Sequence, residues 1–176
     1  KLKFSLEMTH NGKTWIGINT GIPNKLGFEG VQDGTIKELQ GYEHIKPEAK
    51  IGKSRIDLLL YNGDLKSEDS ERCYVEIKNV TLMGEDDTYL FPDSVTTRGQ
   101  KHLEELMELK SQGIRAVMLY IVQREDGNSF SPAKEIDPEY ARLLKKAYDM
   151  GVEVLVYQCK LSEEGVHLSH TIPFEL

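Results

Sequence analysis

Two cysteines, one tryptophan and six prolines among 176 residues leave several classes of protein without their material. Two thiols cannot staple a small fold, and Cys73 and Cys159 have neither the CxxC nor the CxxH spacing that holds zinc. Both sit in apolar, strand-like surroundings and read as reduced core thiols of a cytoplasmic protein. The longest unbroken apolar run, residues 116–122, is far short of the ~20 residues that cross a bilayer, so no transmembrane helix is expected. Lys1 leads straight into a strand-like stretch with no apolar leader, which argues against a secretory or transit segment. The missing initiator Met points to a natural N-terminal portion beyond this sequence. Positive charge is also scarce: 22 Lys and Arg face 29 Asp and Glu, for a net charge of -7. That balance disfavours indiscriminate binding of polyanions but leaves a local basic cleft open. GxSxG, GxxxxGK[ST] and HExxH are all absent, which removes the nucleophile elbow, the phosphate loop and the helical zinc site. The acids Glu85, Asp86, Asp87 and Asp93 lack EF-hand spacing and read as a solvated loop leading into a site.

What remains is globular material, with 39% hydrophobic and 29% charged residues in a length that suits one compact domain. Asn11-Gly12 between two strand-like stretches predicts an N-terminal hairpin. Residues 21–41 are weakly helical and broken by Gly27, Gly30 and Gly34, so a single short helix is expected at 35–40. Strands are expected at 42–51, 55–61 and 72–80, close enough in succession for an antiparallel meander. A loop over 84–97 should lead into a helix from Thr97, capped by Thr96 or Thr97, ended by Gly113 and packed through Leu103, Leu106 and Met107. Residues 116–122 and 152–159 read as strands buried on both faces. Between them Asp137-Pro138 starts a helix whose buried face is Leu143, Leu144, Ala147 and Tyr148. Buried strand, helix, buried strand implies a parallel pair, and an edge hairpin closes the chain. The fold class is therefore α/β, a mixed sheet flanked by helices.

The chemistry concentrates in SRIDLLL, residues 54–60, and YVEIKNV, residues 74–80. Asp57 interrupts an apolar strand, where an unpartnered carboxylate costs several kcal/mol or gives up its charge. Glu76 and Lys78 are two apart and share one face of the next strand, with Val75 and Ile77 on the other. In a hairpin, Asp57, Glu76 and Lys78 converge, and two carboxylates with the main-chain carbonyl of Ile77 suit a hard divalent cation, Mg2+ or Mn2+. Such a site hydrolyses phosphodiesters, Lys78 orienting water or meeting phosphoryl charge. The plainer alternative is a weak Glu76–Lys78 surface pair, with Asp57 a core carboxylate satisfied by Arg55 or backbone amides. Lys46, Lys50, Lys53 and Arg55 face only Glu48 and Asp57, a locally basic strip suited to nucleic acid or to an ordinary charged edge strand. Arg98 and Lys101 in the first turn of the following helix make a phosphate cradle or a solvated turn. His102, with only Glu104 and Glu105 as ligand-type neighbours on its helix, reads as a surface residue or a support behind the site before it reads as a ligand.

These residues carry a family resemblance. WIGINT at 15–20, SRIDL at 54–58, YVEIKNVTL at 74–82, FPDSVTTRG at 91–99 and KHLEELMEL at 101–109 are long strings, and from Trp15 onward the chain resembles the sugar fermentation stimulation protein A family. The matching half of that family is similar to the PD-(D/E)xK nuclease superfamily. The resemblance implies a restriction-endonuclease-like core over residues 21–176, with a hairpin over 1–20 as the remnant of an OB-like DNA-binding domain. It places metal-binding acids on Asp57 and Glu76 and the lysine on Lys78, with Glu38 or Glu48 as candidates for a further acid and Gln100 for a helical glutamine. It also implies DNA as partner and a link to sugar, notably maltose, metabolism. Two functions follow as expectations: a Mg2+-dependent nuclease, or a non-enzymatic DNA-binding regulator that keeps the nuclease fold.

Overall fold

The apolar runs of the sequence come together as the middle of one mixed sheet, described here from a computed structural model of residues 3–51, 54–67 and 70–176. In chain order the elements are β1 (Met8–His10), β2 (Trp15–Gly17), α1 (Ile22–Gln32), β3 (His44–Ile51), β4 (Ser54–Tyr61), β5 (Arg72–Val80), β6 (Leu82–Met83) and β7 (Thr88–Phe91). There follow α2 (Thr97–Ser111), β8 (Arg115–Val122), β9 (Ser129–Pro132), α3 (Pro138–Asp149), β10 (Glu153–Ser162) and β11 (Gly165–Thr171). The main sheet has the order β11-β10-β8-β5-β4-β3. The meander β3-β4-β5 is antiparallel as expected, and β8 runs parallel to both β5 and β10. The central strands β5 and β8 are covered on both faces, which is why residues 116–122 are apolar without alternation. One layer holds α2 and α3 with Leu103, Leu106, Tyr140 and Leu144; the other holds α1 with Leu26 and Val31.

Several elements depart from the sequence expectations, each for a physical reason. The helix expected at 35–40 is only a single 3-10 turn, Lys37–Leu39, while the regular helix is α1, running through Gly27 and Gly30. Those glycines are contact residues, not breakers. A Cβ on Gly27 would lie 2.5 Å from Ile77 Cδ1, and one on Gly30 would lie 2.9 Å from Leu168 Cδ2. Their missing side chains let the helix lie close on the sheet, and that gain outweighs the ~1 kcal/mol that a helical glycine costs. The segment 84–97 is not all loop: β6, β7 and β9 form a second, three-stranded sheet. Tyr148, expected on the buried face of α3, is 46% exposed. Cys73 and Cys159 are buried and free, and burial pushes both thiols up to about 12. The N-terminal hairpin forms with His10 opposite Trp15 and is tied to the main sheet by Gly17 N–H donating to Gln123 O at 2.9 Å.

Gly27 links α1 to β5, since the helix presses there on Ile77. Gly27→Ala is expected to lower stability by ~1–3 kcal/mol, the usual cost of overpacking, read as a lower urea midpoint. An unchanged midpoint would mean that Ile77 yields freely to the added methyl.

Candidate functional site

The site forms where β4 and β5 part company. Their pairing runs from Tyr61 opposite Arg72 to Leu58 opposite Val75 and goes no further. Past that point Asp57 replaces the ladder: its Oδ2 accepts the N–H of Ile77 at 2.7 Å. The pleat breaks at the same residue, because Ile56 packs in the α2 and α3 layer while Leu58 packs in the α1 layer. Across the β3 pairing sits Glu48 with φ of 50°, a left-handed backbone that a non-glycine residue rarely adopts. Together these irregularities turn a core strand residue toward a gap between two strands. The N–H and C=O of one extended residue point the same way, so the Ile77 carbonyl faces that gap as well.

Asp57 is also gripped from α1, where Asn24 Nδ2 donates to its Oδ1 at 2.8 Å. Burial first, and then the charge of Glu76, push the Asp57 carboxyl above the usual aspartate range, against the pull of the Ile77 N–H and Lys78. Glu76 moves the other way. Burial alone would raise it, but hydrogen bonds and charge from His102 and Lys78 outweigh burial and hold it below the usual range. Lys78 Nζ donates to Glu76 Oε1 at 2.7 Å, with the two side chains only 12% and 3% exposed. This is not the solvated surface pair of the plainer alternative. His102 Nδ1 closes on the same Oε1 and lies 3.0 Å from Lys78 Nζ. Glu76 Oε2 is buried and, among the described residues, has no hydrogen-bond partner.

The remaining candidates fall in different places. Glu48 and Asp57 line one cleft with Asn24 and Phe28, but Glu48 is exposed and paired with Arg55 at 3.1 Å. Glu38 lies in the α1 layer, accepting from the Tyr157 hydroxyl at 2.6 Å, and is not brought to Glu76. Gln100 is turned onto Asp137, donating to Oδ1 at 2.9 Å. Lys46, Lys50 and Arg98 are exposed, while Lys101 donates to Ser54 Oγ at 2.9 Å and pairs with Glu105 at 3.5 Å. Lys53 lies outside the described residues. Among the described residues no cluster of three His, Cys, Asp or Glu is arranged to hold a metal, so any ion here rests on two carboxylates and main-chain oxygen.

One contributor escapes the sequence reading, and a second, His102, stands in it between a surface residue and a support behind the site. His102 shares the buried stripe of α2 with Leu103, Leu106 and Met107, a position that helical spacing alone could have given. Asn24 had no such signal, since its value depends on where α1 crosses β4.

The fold and the cluster define a class of protein: a layered α/β domain in which helices on opposite faces of a mixed sheet grip two carboxylates and a lysine where two strands diverge. The chain belongs to the sugar fermentation stimulation protein family, whose domain described as "Sugar fermentation stimulation protein RE domain" matches residues 21–165. It is 53% identical over 174 residues to the sugar fermentation stimulation protein homolog of Geotalea daltonii, covering 98% of this chain and 72% of that one. To the homolog of Geobacter sulfurreducens it is 49% identical over 174 residues, again 98% of this chain and 72% of the relative. A solved structure of Pyrococcus furiosus SfsA in complex with Ca2+ superposes with a TM-score of 0.85 at 28% identity, covering 97% of this chain and 71% of that one. No described helix is long and apolar enough to cross a membrane.

Proposed function

We propose that the chain is a cation-dependent phosphodiesterase acting on nucleic acid, with DNA as the expected substrate and Mg2+ or Mn2+ as the ion. The observation that carries this reading is Glu76 Oε2, a buried carboxylate oxygen that has no donor among the described residues, beside a second carboxylate whose proton affinity is raised by burial and then by the charge of Glu76. An orphaned buried acceptor costs free energy that a cation would return. Asp57, Glu76 and the Ile77 carbonyl are oxygen donors of the kind hard divalent ions take, and the Ca2+ complex of the Pyrococcus furiosus relative is consistent with that choice. A bound ion would supply Lewis acidity toward a phosphoryl oxygen and a more acidic water. The chain's own residues do the rest. Lys78, tied to Glu76 through one N–H, has hydrogens left for the attacking water or a phosphoryl oxygen. Asn24 and the Ile77 N–H fix both oxygens of Asp57, each of which keeps acceptor capacity. The exposed Lys46, Lys50 and Arg98 are available to a nucleic-acid backbone.

The test is cleavage of single- and double-stranded DNA and RNA with Mg2+ or Mn2+, comparing wild type with Lys78→Met. Cleavage that falls by ~10²–10³ in the variant is the expected result, the size seen when one group that stabilises transition-state charge is removed. Failure of wild type to cut any of the four substrates with either ion overturns the enzyme. The exposed cations then favour the second reading, a DNA-binding regulator, which retardation of DNA without cleavage would support.

A further inference from the structure

Glu76 and Lys78 project from alternate residues of an extended strand, and a hydrogen bond between two flexible side chains leaves the pair free to swing together. A third contact removes that freedom. His102, 5% exposed, supplies it from the opposite element, with Nδ1 against both Glu76 Oε1 and Lys78 Nζ. The ring is held by a well-seated helix: Leu103 and Leu106 beside it are fully buried, and Thr96 caps α2 by accepting from Gly99 N–H at 3.0 Å. The triangle closes on Oε1, and among the described residues Oε2 is the oxygen left without a donor.

We infer that His102 is a positioning residue: in the tautomer with Nδ1 protonated it donates to Glu76 Oε1, the oxygen that Lys78 Nζ also donates to, and so fixes the carboxylate with Oε2 presented to a divalent cation. This rests on the cation-dependent reading of the site. Groups that orient a metal ligand from behind typically change metal affinity by ~10–100-fold when removed. A role in filling space predicts something else, and two amide substitutions separate the roles. Asparagine puts an amide atom where Nδ1 stands; glutamine is nearer to histidine in volume but puts its amide where Nε2 stands. Packing alone therefore favours His102→Gln, whereas positioning through Nδ1 favours His102→Asn.

The experiment is calorimetric titration of wild type, H102N and H102Q with Mn2+, together with their thermal unfolding in chelator. The expected result is H102N within about threefold of wild type in Mn2+ affinity and H102Q weakened at least tenfold, although H102Q is the more thermostable of the two. Equal affinities, or H102Q the tighter binder, overturn the inference while leaving the cation site intact. Wild type that takes up no Mn2+ overturns the parent reading and this assignment together, and that control alone identifies the outcome. Wild type that binds Mn2+ but cuts no nucleic acid removes the phosphodiesterase and leaves the order of the two variants decisive for His102.

Discussion

Asp57→Asn is expected to make the cation-free protein more stable than wild type and, at the same time, to abolish its response to divalent ions. Burial, and then the charge of Glu76, hold the Asp57 carboxyl above its ordinary value, so the folded state keeps the proton to higher pH than the unfolded chain does. Ionised Asp57 is thus a cost to folding: absent below the ordinary aspartate value, growing as pH rises above it, and complete once pH has passed the raised value of the folded state. An asparagine carries no such cost. Its Oδ1 can accept the Ile77 N–H, and its Nδ2 can donate to an Asn24 amide turned over to offer oxygen, so both hydrogen bonds at the position survive. Thermal unfolding in chelator from pH 4 to 8 should show the variant gaining on wild type as pH rises. At a cation concentration of 100 times Kd, wild type should gain ~2.7 kcal/mol, and the variant should gain nothing. For a chain of this length that is a shift of roughly 5–11 °C. Cation-dependent cleavage should fall by on the order of 10³, since the ion's charge stabilisation is worth several kcal/mol. A variant less stable than wild type in chelator, or one that still shifts with Mn2+, sinks the account of Asp57.

That one carboxylate should be costly to the fold and central to the site is the clearest sign of why parts of the structure were legible beforehand. Asp57 was visible because it violates the rule of its own strand, an acid among Ile56, Leu58 and Leu59. Glu76 and Lys78 were visible because their period of two marks a shared face, and the parallel pairing of β8 with β10 followed from two runs with no polar face at all. The local signals of α2 and α3 worked for the same reason: Thr96 and Asp137 do cap them.

The failures came where one segment's meaning depends on another. Gly27 and Gly30 look like helix breakers until Ile77 and Leu168 are set against them, and only then do they become the reason α1 can lie so close. Asn24 has no chemistry until that close approach brings it to Asp57. The strands β6 and β7 are too short to announce themselves, and the sheet they start is completed by β9, which pairs with β7 from some forty residues away. Glu38 and Gln100 illustrate the converse. Both were placed near a site by resemblance, and each is engaged elsewhere, by Tyr157 and by Asp137.

Removing the other carboxylate should have the opposite sign. Glu76→Ala leaves the Lys78 ammonium without its anion at a position where the side chain is only 12% exposed, and it leaves His102 Nδ1 without the carboxylate it meets. Breaking a buried ion pair by deleting one member costs ~3–5 kcal/mol, because the surviving charge stays desolvated. A solvated pair would lose only ~0–1 kcal/mol. Relief of the repulsion between Glu76 and Asp57 offsets part of the loss, so the lower end of the range is expected, on the order of 3 kcal/mol, or a fall of roughly 6–12 °C in the unfolding temperature. The cause can be isolated by adding Lys78→Met. If the loss comes from the stranded ammonium, the double variant should recover most of the stability that Glu76→Ala gave up, so that its loss falls well short of the sum of the separate losses. Additive losses would instead mean that Lys78 escapes to water once Glu76 is gone and that the pair never held the strand. Two acids nineteen residues apart in sequence would then respond in contrary directions to neutralisation. Asp57 has two hydrogen bonds and a share of the Lys78 charge to set against its burial and the charge of Glu76, and loses more than it gains; Glu76 has the direct bonds of a lysine and a histidine, and gains more than it loses.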